Sequence, residues 1–264
     1  MTTMSSEVEP PPAPPLLEAR AIQKRFGRVV ALRAGNFELR PNEVHAIVGD
    51  NGAGKTTLIK IISGVYRADS GEVLLDGNPV AISSPREARA LGIETVYQDL
   101  GLADHLDAAA NLFLGREELL PRPLSWLGFL DRKAMRRRAE EEMRHLKIGI
   151  QSVDQPVLGL SGGQRQAIAV ARAIAWGTRI VIMDEPTAAL GVRESGMVLE
   201  LIKEVREHGI AVVMISHNLP EVFAVADRIT VLRLGRTITT LETSQTSLEA
   251  VVGMMTGAVG AAAA

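Results

Sequence analysis

Cysteine is absent from the 264-residue chain, which excludes a disulfide framework and any thiolate metal site. The absence is compatible with a reducing compartment. An excess of one charge is missing too. Lys and Arg number 29 against 31 Asp and Glu, a net charge of -2, so the chain carries no global electrostatic footprint for nucleic acid. No stretch of ~18 or more apolar residues is free of charge, so no transmembrane helix is expected, and a membrane role would have to come through a partner. The N-terminus lacks the basic start and apolar core of a signal peptide. Residues 1–15 are rich in proline and read as an extended, disordered leader, and residues 256–264 read as a flexible tail. No internal repeat is visible. What the chain does have is apolar mass: 46% of its residues are hydrophobic, ample for the core of one large domain, or of a domain with a subdomain.

The chain is organised around Gly49-Asp50-Asn51-Gly52-Ala53-Gly54-Lys55-Thr56-Thr57, which reads G-x-x-x-x-G-K-[ST], a phosphate-binding loop. A triphosphate is a dense anion, and backbone N–H groups cradle it where the chain bends tightly, a bend that glycine permits. Lys55 supplies a point charge for the β- and γ-phosphates, and the Thr56 hydroxyl is a natural Mg²⁺ ligand. Residues 44–48 are apolar enough for a buried strand. Residues 57–62 continue as a helix whose N-terminus faces the phosphates.

Around this loop the pattern is α/β. Short strand-like runs fill residues 16–48. Residues 85–91 fit a short helix and 93–97 a strand. Residues 131–147 are charged, with Met135, Ala139, Met143 and Leu146 at helical spacing. Within that stretch Arg136-Arg137-Arg138 reads as a solvated helix face. Residues 180–183 and 210–215 are continuous apolar runs of the kind buried on both faces of a parallel sheet, with a helical crossover at 194–208. The first of these runs ends in Asp184 and Glu185. Ligands of open α/β sheets sit at the carboxyl ends of strands, so the two carboxylates should emerge beside the phosphate loop. There Asp184 would help to hold Mg²⁺, and Glu185 would act as general base on the attacking water. The bland alternative is a pair of acids capping a helix that starts at Pro186.

Leu160-Ser161-Gly162-Gly163-Gln164 decides between these readings. With the loop and the carboxylates in this order, the chain resembles the ATPase subunit of an ATP-binding cassette transporter over residues 16–255. The resemblance implies a P-loop NTPase fold: a RecA-like core with a mainly parallel sheet, an N-terminal antiparallel β subdomain, and a helical signature-motif subdomain at about 100–175. In that family the signature motif closes on the nucleotide held by the opposite subunit. Ser161 caps a helix, and Gly162 and Gly163 present amides at its N-terminus, which suits an anion.

The resemblance assigns three further residues. Phe26 takes the place of an aromatic set against adenine, Gln98 that of a glutamine reaching Mg²⁺ and the attacking water, and His217 that of a histidine contacting the γ-phosphate and orienting Glu185. The Mg²⁺ set is then Thr56, Gln98 and Asp184, and the cofactors are ATP and Mg²⁺. In the loop after the catalytic acid, many members carry Ser and Asp where Ala189 and Gly191 stand here. Residues 185–190, with Asn111-Leu112-Phe113-Leu114-Gly115-Arg116-Glu117, are similar to the ATPases of ribose-, xylose- and fructose-type importers. Many of those fuse two cassettes, whereas this chain has one. The implied partners are a second copy, an integral-membrane sugar permease and, through it, a periplasmic sugar-binding protein, with no nucleic acid. The implied site of action is peripheral, on the cytoplasmic face of a bacterial inner membrane. The alternative is a cassette ATPase without a permease, acting in nucleic-acid or ribosome transactions.

Overall fold

A computed structural model of the chain describes residues 14–122 and 124–258. The leader expected at 1–15 and the tail expected at 256–264 fall mostly outside those residues. At the C-terminal end the last helix runs to Thr256.

The first strands are β1 (Leu17–Phe26), β2 (Val29–Leu39) and β3 (Val44–Val48). Helix α1 (Lys55–Ile62) follows the phosphate loop. Then come β4 (Ser70–Leu75), β5 (Asn78–Val80), α2 (Pro85–Ala90) and β6 (Ile93–Val96). A helical stretch carries α3 (Ala108–Leu112), α4 (Arg132–His145) and α5 (Gly162–Ile174). The chain closes with β7 (Ile180–Asp184), α6 (Val192–Glu207), β8 (Ala211–Ile215), α7 (Leu219–Val225), β9 (Arg228–Arg233), β10 (Arg236–Glu242) and α8 (Leu248–Thr256).

The strands order as β5-β4-β1-β2-β10-β9-β3-β8-β7-β6. From β9 to β6 every pairing is parallel. Between β5 and β2 every pairing is antiparallel. The β9–β10 hairpin joins the two halves, because β10 pairs antiparallel with β9 and, at Arg236–Ala34, parallel with β2.

The central parallel strands β3, β7 and β8 are apolar along nearly their whole length because both of their faces are covered. Alternate side chains go to opposite layers. Val44, Ala46, Val48, Val181, Met183, Val212 and Met214 pack with α5, α6 and α7. Ile47, Ile180, Ile182, Val213 and Ile215 pack with α1 and the antiparallel strands. Helix α1 buries Leu58, Ile59, Ile61 and Ile62 in that second layer, each worth about 1.5–3 kcal/mol of transfer free energy. In α4, Met135, Ala139 and Met143 are buried, as their spacing predicts, and Leu146 caps the row.

This parallel register fixes the place of the site. Because β3, β6, β7 and β8 run the same way, the segments leaving their carboxyl ends share one edge of the sheet. Those segments are the phosphate loop, Gln98, Asp184-Glu185 and Ser216-His217.

Candidate functional site

The phosphate loop holds its shape through two glycines that accept no side chain. Gly49 has φ +153°, and a Cβ there would stand 2.2 Å from the Leu232 carbonyl oxygen. Gly54, at φ +106°, would bring a Cβ within 2.8 Å of the Ala31 oxygen. Gly54 is also the N-cap of α1 and contributes no side chain, so the first amides of the helix are left for another acceptor. The Ala53 N–H donates to Asp50 O at 3.0 Å. Lys55 turns back over the loop and donates from Nζ to Gly49 O at 2.6 Å and to Asp50 O at 3.2 Å. Burial pulls its ammonium below the ordinary lysine range, opposed by Glu185, Asp184 and Asp50.

Asp184 ends β7. Burial, then the neighbouring Glu185, raises its carboxyl above the usual range, and Lys60 and Lys55 oppose that rise. Glu185 leaves the strand in the left-handed region, at φ +51°, a conformation that costs a residue with a side chain about 1–3 kcal/mol. What holds it there is its N–H, which donates to Ile215 O of the adjacent strand at 2.9 Å. That bend turns the carboxylate toward His217, whose Nδ1 donates to Glu185 Oε2 at 2.8 Å. The His217 side chain is otherwise 70% exposed. No helix starts at Pro186, and residues 186–189 form turns, which removes the reading of Asp184 and Glu185 as helix caps.

One cavity of about 640 Å³ gathers these parts. Asn51 to Thr57, Gln98, Asp184 and Glu185 line it, with Lys60 and Tyr97 beside them. Thr56, Gln98 and Asp184 therefore line one cavity: a hydroxyl, an amide oxygen and a carboxylate, the hard oxygen donors that suit Mg²⁺. The glycine cradle and the desolvated lysine suit a polyphosphate. The residues present thus fit both groups.

Phe26 stands apart. It does not line the cavity, whose wall near it is Val29, Val30 and Ala31. Its ring is 41% exposed and meets Tyr66 edge-on, with centroids 5.1 Å apart.

The signature segment also lies outside this cavity. Ser161 is the N-cap of α5, and its Oγ accepts from Gln164 N–H while Gln164 Oε1 accepts from Ser161 N–H. Gln164 Nε2 donates to Gly149 O at 2.8 Å. A separate cavity of about 510 Å³ runs from Gln98 and Asp99 to Gly162. Within one chain, then, the phosphate loop and the signature helix do not meet on one ligand.

Sequence reasoning missed Arg172. From inside α5 it donates to Leu100 O at 2.7 Å and to Gly101 O at 2.9 Å, tying the signature helix to the loop just after Gln98. An isolated arginine in a helix gives no sequence signal of such a bond. Lys60 and Tyr97 were missed as well, because they come to the site by helix phase and strand register.

Residues 32–188 match the family described as ABC transporter. The chain belongs to that family. It is 52% identical over 246 residues to the fructose import ATP-binding protein FrcA of Rhizobium meliloti, covering 92% of this chain and 95% of that one. It is 44% identical over 241 residues to the xylose/arabinose import ATP-binding protein XylG of Sulfolobus acidocaldarius, covering 91% and 94%. Against a putative ribose/galactose/methyl galactoside import ATP-binding protein of Burkholderia lata the identity is 42%, but the chain spans only 49% of that relative's length. The fold matches the ADP conformation of MJ1267, an ATP-binding cassette of an ABC transporter, with a TM-score of 0.77 and 25% identity over 92% of this chain and 95% of that one. It also matches a dimeric post-hydrolysis state of the cassette MJ0796 bound to ADP and phosphate, with a TM-score of 0.69 and 25% identity over 86% and 98%. The chain is an ATP-hydrolysing cassette of this family. Among the described residues no helix is long and apolar enough to cross a membrane.

Proposed function

We propose that the chain is the motor subunit of a monosaccharide importer, working as a pair of copies beneath a separate permease on the cytoplasmic face of a bacterial inner membrane. The observation that carries the reading is the similarity to FrcA over 95% of that protein's length, on a chain whose cavity gathers Lys55, Gln98, Asp184 and Glu185. The permease-free alternative finds no support among these relatives.

In this reading residues 49–57 bind the triphosphate with backbone amides, and Lys55 bears on the β- and γ-phosphates. Phe26 offers a ring to the adenine. Thr56, Gln98 and Asp184 would hold Mg²⁺, which when bound neutralises charge developing on the phosphoryl oxygens. Glu185, held by His217, orients the attacking water and takes its proton as the oxygen bonds to the γ-phosphorus. The bond to the β-phosphate oxygen breaks, and ADP and phosphate leave. Ser161 to Gln164 of a second copy close over the γ-phosphate, so ATP favours the closed pair and hydrolysis opens it. A periplasmic sugar-binding protein would deliver the sugar to the permease. Residues 99–116 would receive a cytoplasmic segment of the permease.

The test is uptake of labelled fructose, ribose and xylose by cells lacking this chain. Wild type should restore uptake of one of them, and Glu185→Gln should not. Substitutions in 99–116 should abolish uptake while sparing ATP hydrolysis by the isolated protein. Restoration of no monosaccharide by an active ATPase would sink the import reading.

A further inference from the structure

Between α3 and α4 the chain carries an arm within residues 119–130 that exposes five large apolar side chains. Trp126 is 79% exposed, Leu127 73% and Phe129 52%, with Leu119 and Leu130 exposed behind them. The arm is hydrogen-bonded. Leu119 and Leu130 form an antiparallel bridge, and Leu120 N–H donates to Phe129 O at 2.9 Å. Asp131 N–H donates to Glu118 O at 2.7 Å, and Gly128 N–H closes the tip on Ser125 O at 3.1 Å. The arm's own backbone bonds therefore hold the segment that exposes these side chains. The second tryptophan of the chain shows the contrast. Trp176 packs edge-on against Phe113, with centroids 5.4 Å apart, and lies under the Arg138 guanidinium. Single exposed apolar residues need no explanation, but a contiguous group on one arm marks a binding surface.

The charges around the arm say what covers it. The nearby acids already have partners within the chain. Glu117 accepts from Gly115 N–H, Glu118 pairs with Arg138, and Asp131 caps α4 at Ala134 N–H. Arg132, Lys133 and Arg137 are exposed and have no acidic partner among the described residues. Arg122 lies over the Trp126 ring. Tryptophan flanked by uncommitted cations is the composition of a segment that sits in the headgroup layer of a bilayer, ring in the interface and cations on the phosphates. We propose that the 119–130 arm is a membrane-surface anchor, which seats Trp126, Leu127 and Phe129 in the interface of an anionic bilayer with Arg132 and Lys133 on its phosphates. This deepens the importer reading. The arm follows directly on residues 99–116, so a cassette docked by that face would turn the arm toward the lipid beside the permease.

The test uses the full chain carrying Trp176→Phe, so that Trp126 alone reports. Trp176 Nε1 is buried without a hydrogen-bond partner, and this change breaks no such bond. The protein should sediment with vesicles of mixed phosphatidylglycerol and phosphatidylcholine, and its emission should shift to shorter wavelength. Lys133→Gln should weaken partitioning about fivefold. The combined Trp126→Ser, Leu127→Ser and Phe129→Ser variant, in a background that keeps Trp176, should lose at least ~10-fold in sedimentation. ATP hydrolysis by the isolated protein should be unchanged in every variant, which also reports that each is folded. Failure to bind anionic vesicles overturns the proposal, as does equal binding to pure phosphatidylcholine. An emission shift that needs the permease in neutral detergent overturns it too, and assigns the arm to a protein partner. No sugar or permease enters the vesicle arms, so anchoring and the importer reading can fail separately.

Discussion

At the cavity, side chains from three sheet strands and a loop face one another. Lys55 lies among Asp50, Asp184 and Glu185, and His217 reaches across from the end of β8 to hold Glu185. At the head of α5, Ser161 and Gln164 bond to each other, and Gln164 also bonds to Gly149. The first surface is strained and crowded with charge, with Glu185 held at positive φ. The second is a capped helix start in ordinary backbone geometry, with one carboxylate, Glu194, beside its first amides. The difference teaches that a reactive site needs its groups brought together against their preferences, whereas an anion clamp needs only a helix terminus that is rigid in advance. On that view catalysis should be lost by changes at the first surface, and assembly by changes at the second.

The largest effect should come from Glu185→Gln. It keeps the shape and the backbone bond to Ile215 but removes the base, so turnover should fall by ~10²-fold or more while ATP still binds. Light scattering should then find a dimer with Mg-ATP and a monomer after exchange to ADP. Near-normal turnover would remove Glu185 from its role, and a dimer in both states would mean that other surfaces hold the copies together.

Lys55→Ala comes next. It deletes one charge-assisted contact, worth ~1.5–3 kcal/mol, so nucleotide affinity should drop roughly tenfold or more by equilibrium titration. An unchanged dissociation constant would show that the amides alone carry the phosphates.

Ser161→Asp separates the two surfaces most directly. Asp caps a helix as well as Ser does, and repulsion from the neighbouring Glu194 carboxylate is screened by solvent at this exposed site, so thermal stability should fall only slightly; ATP should still bind the isolated chain. The new carboxylate would face the γ-phosphate of the other copy, and like charges at an interface cost several kcal/mol. In the Glu185→Gln background the ATP-dependent dimer should therefore weaken roughly tenfold or more. An undiminished dimer would break the comparison, because the head of α5 would then not face phosphate.

What could be read from the sequence divides along the same line. The phosphate loop, the carboxylates after an apolar strand and the serine-capped α5 are local patterns, and each lies where its residues predicted. Among the short strand-like runs expected over residues 16–48, residues 29–39 form one long β2, because its bulges are accommodated by pairing with β1. The β9–β10 hairpin was not foreseen. β9 is buried along nearly its whole length and β10 only half-buried, so neither shows the alternation that marks a strand. The place of β9 beside β3 depends on pairings such as His45 with Arg228, far apart in the chain. Arg172 was unreadable for the same reason, since its partners are two backbone carbonyls of a distant loop.

Phe26 should give the smallest effect, and it tests how far the crowded cavity extends. The ring is fixed by its edge contact with Tyr66 and by the Lys24 ammonium, 5.5 Å from its centroid, at the turn between β1 and β2. Val29, across that turn, does line the cavity. A ring held there is partly exposed, and offset stacking on a purine is worth about 1 kcal/mol. Phe26→Ala should thus weaken ATP roughly fivefold. It should weaken GTP equally, because a phenyl ring offers no donor or acceptor that tells the two bases apart. Tyr66→Ala should reproduce part of that loss by freeing the ring to rotate. Titrations with both nucleotides decide the matter. If Phe26→Ala leaves them unchanged, the base rests on Val29 and Val30 instead, and the nucleotide site ends at the cavity wall. If wild type strongly prefers ATP, a base-reading group lies along that wall, and Phe26 is only its neighbour.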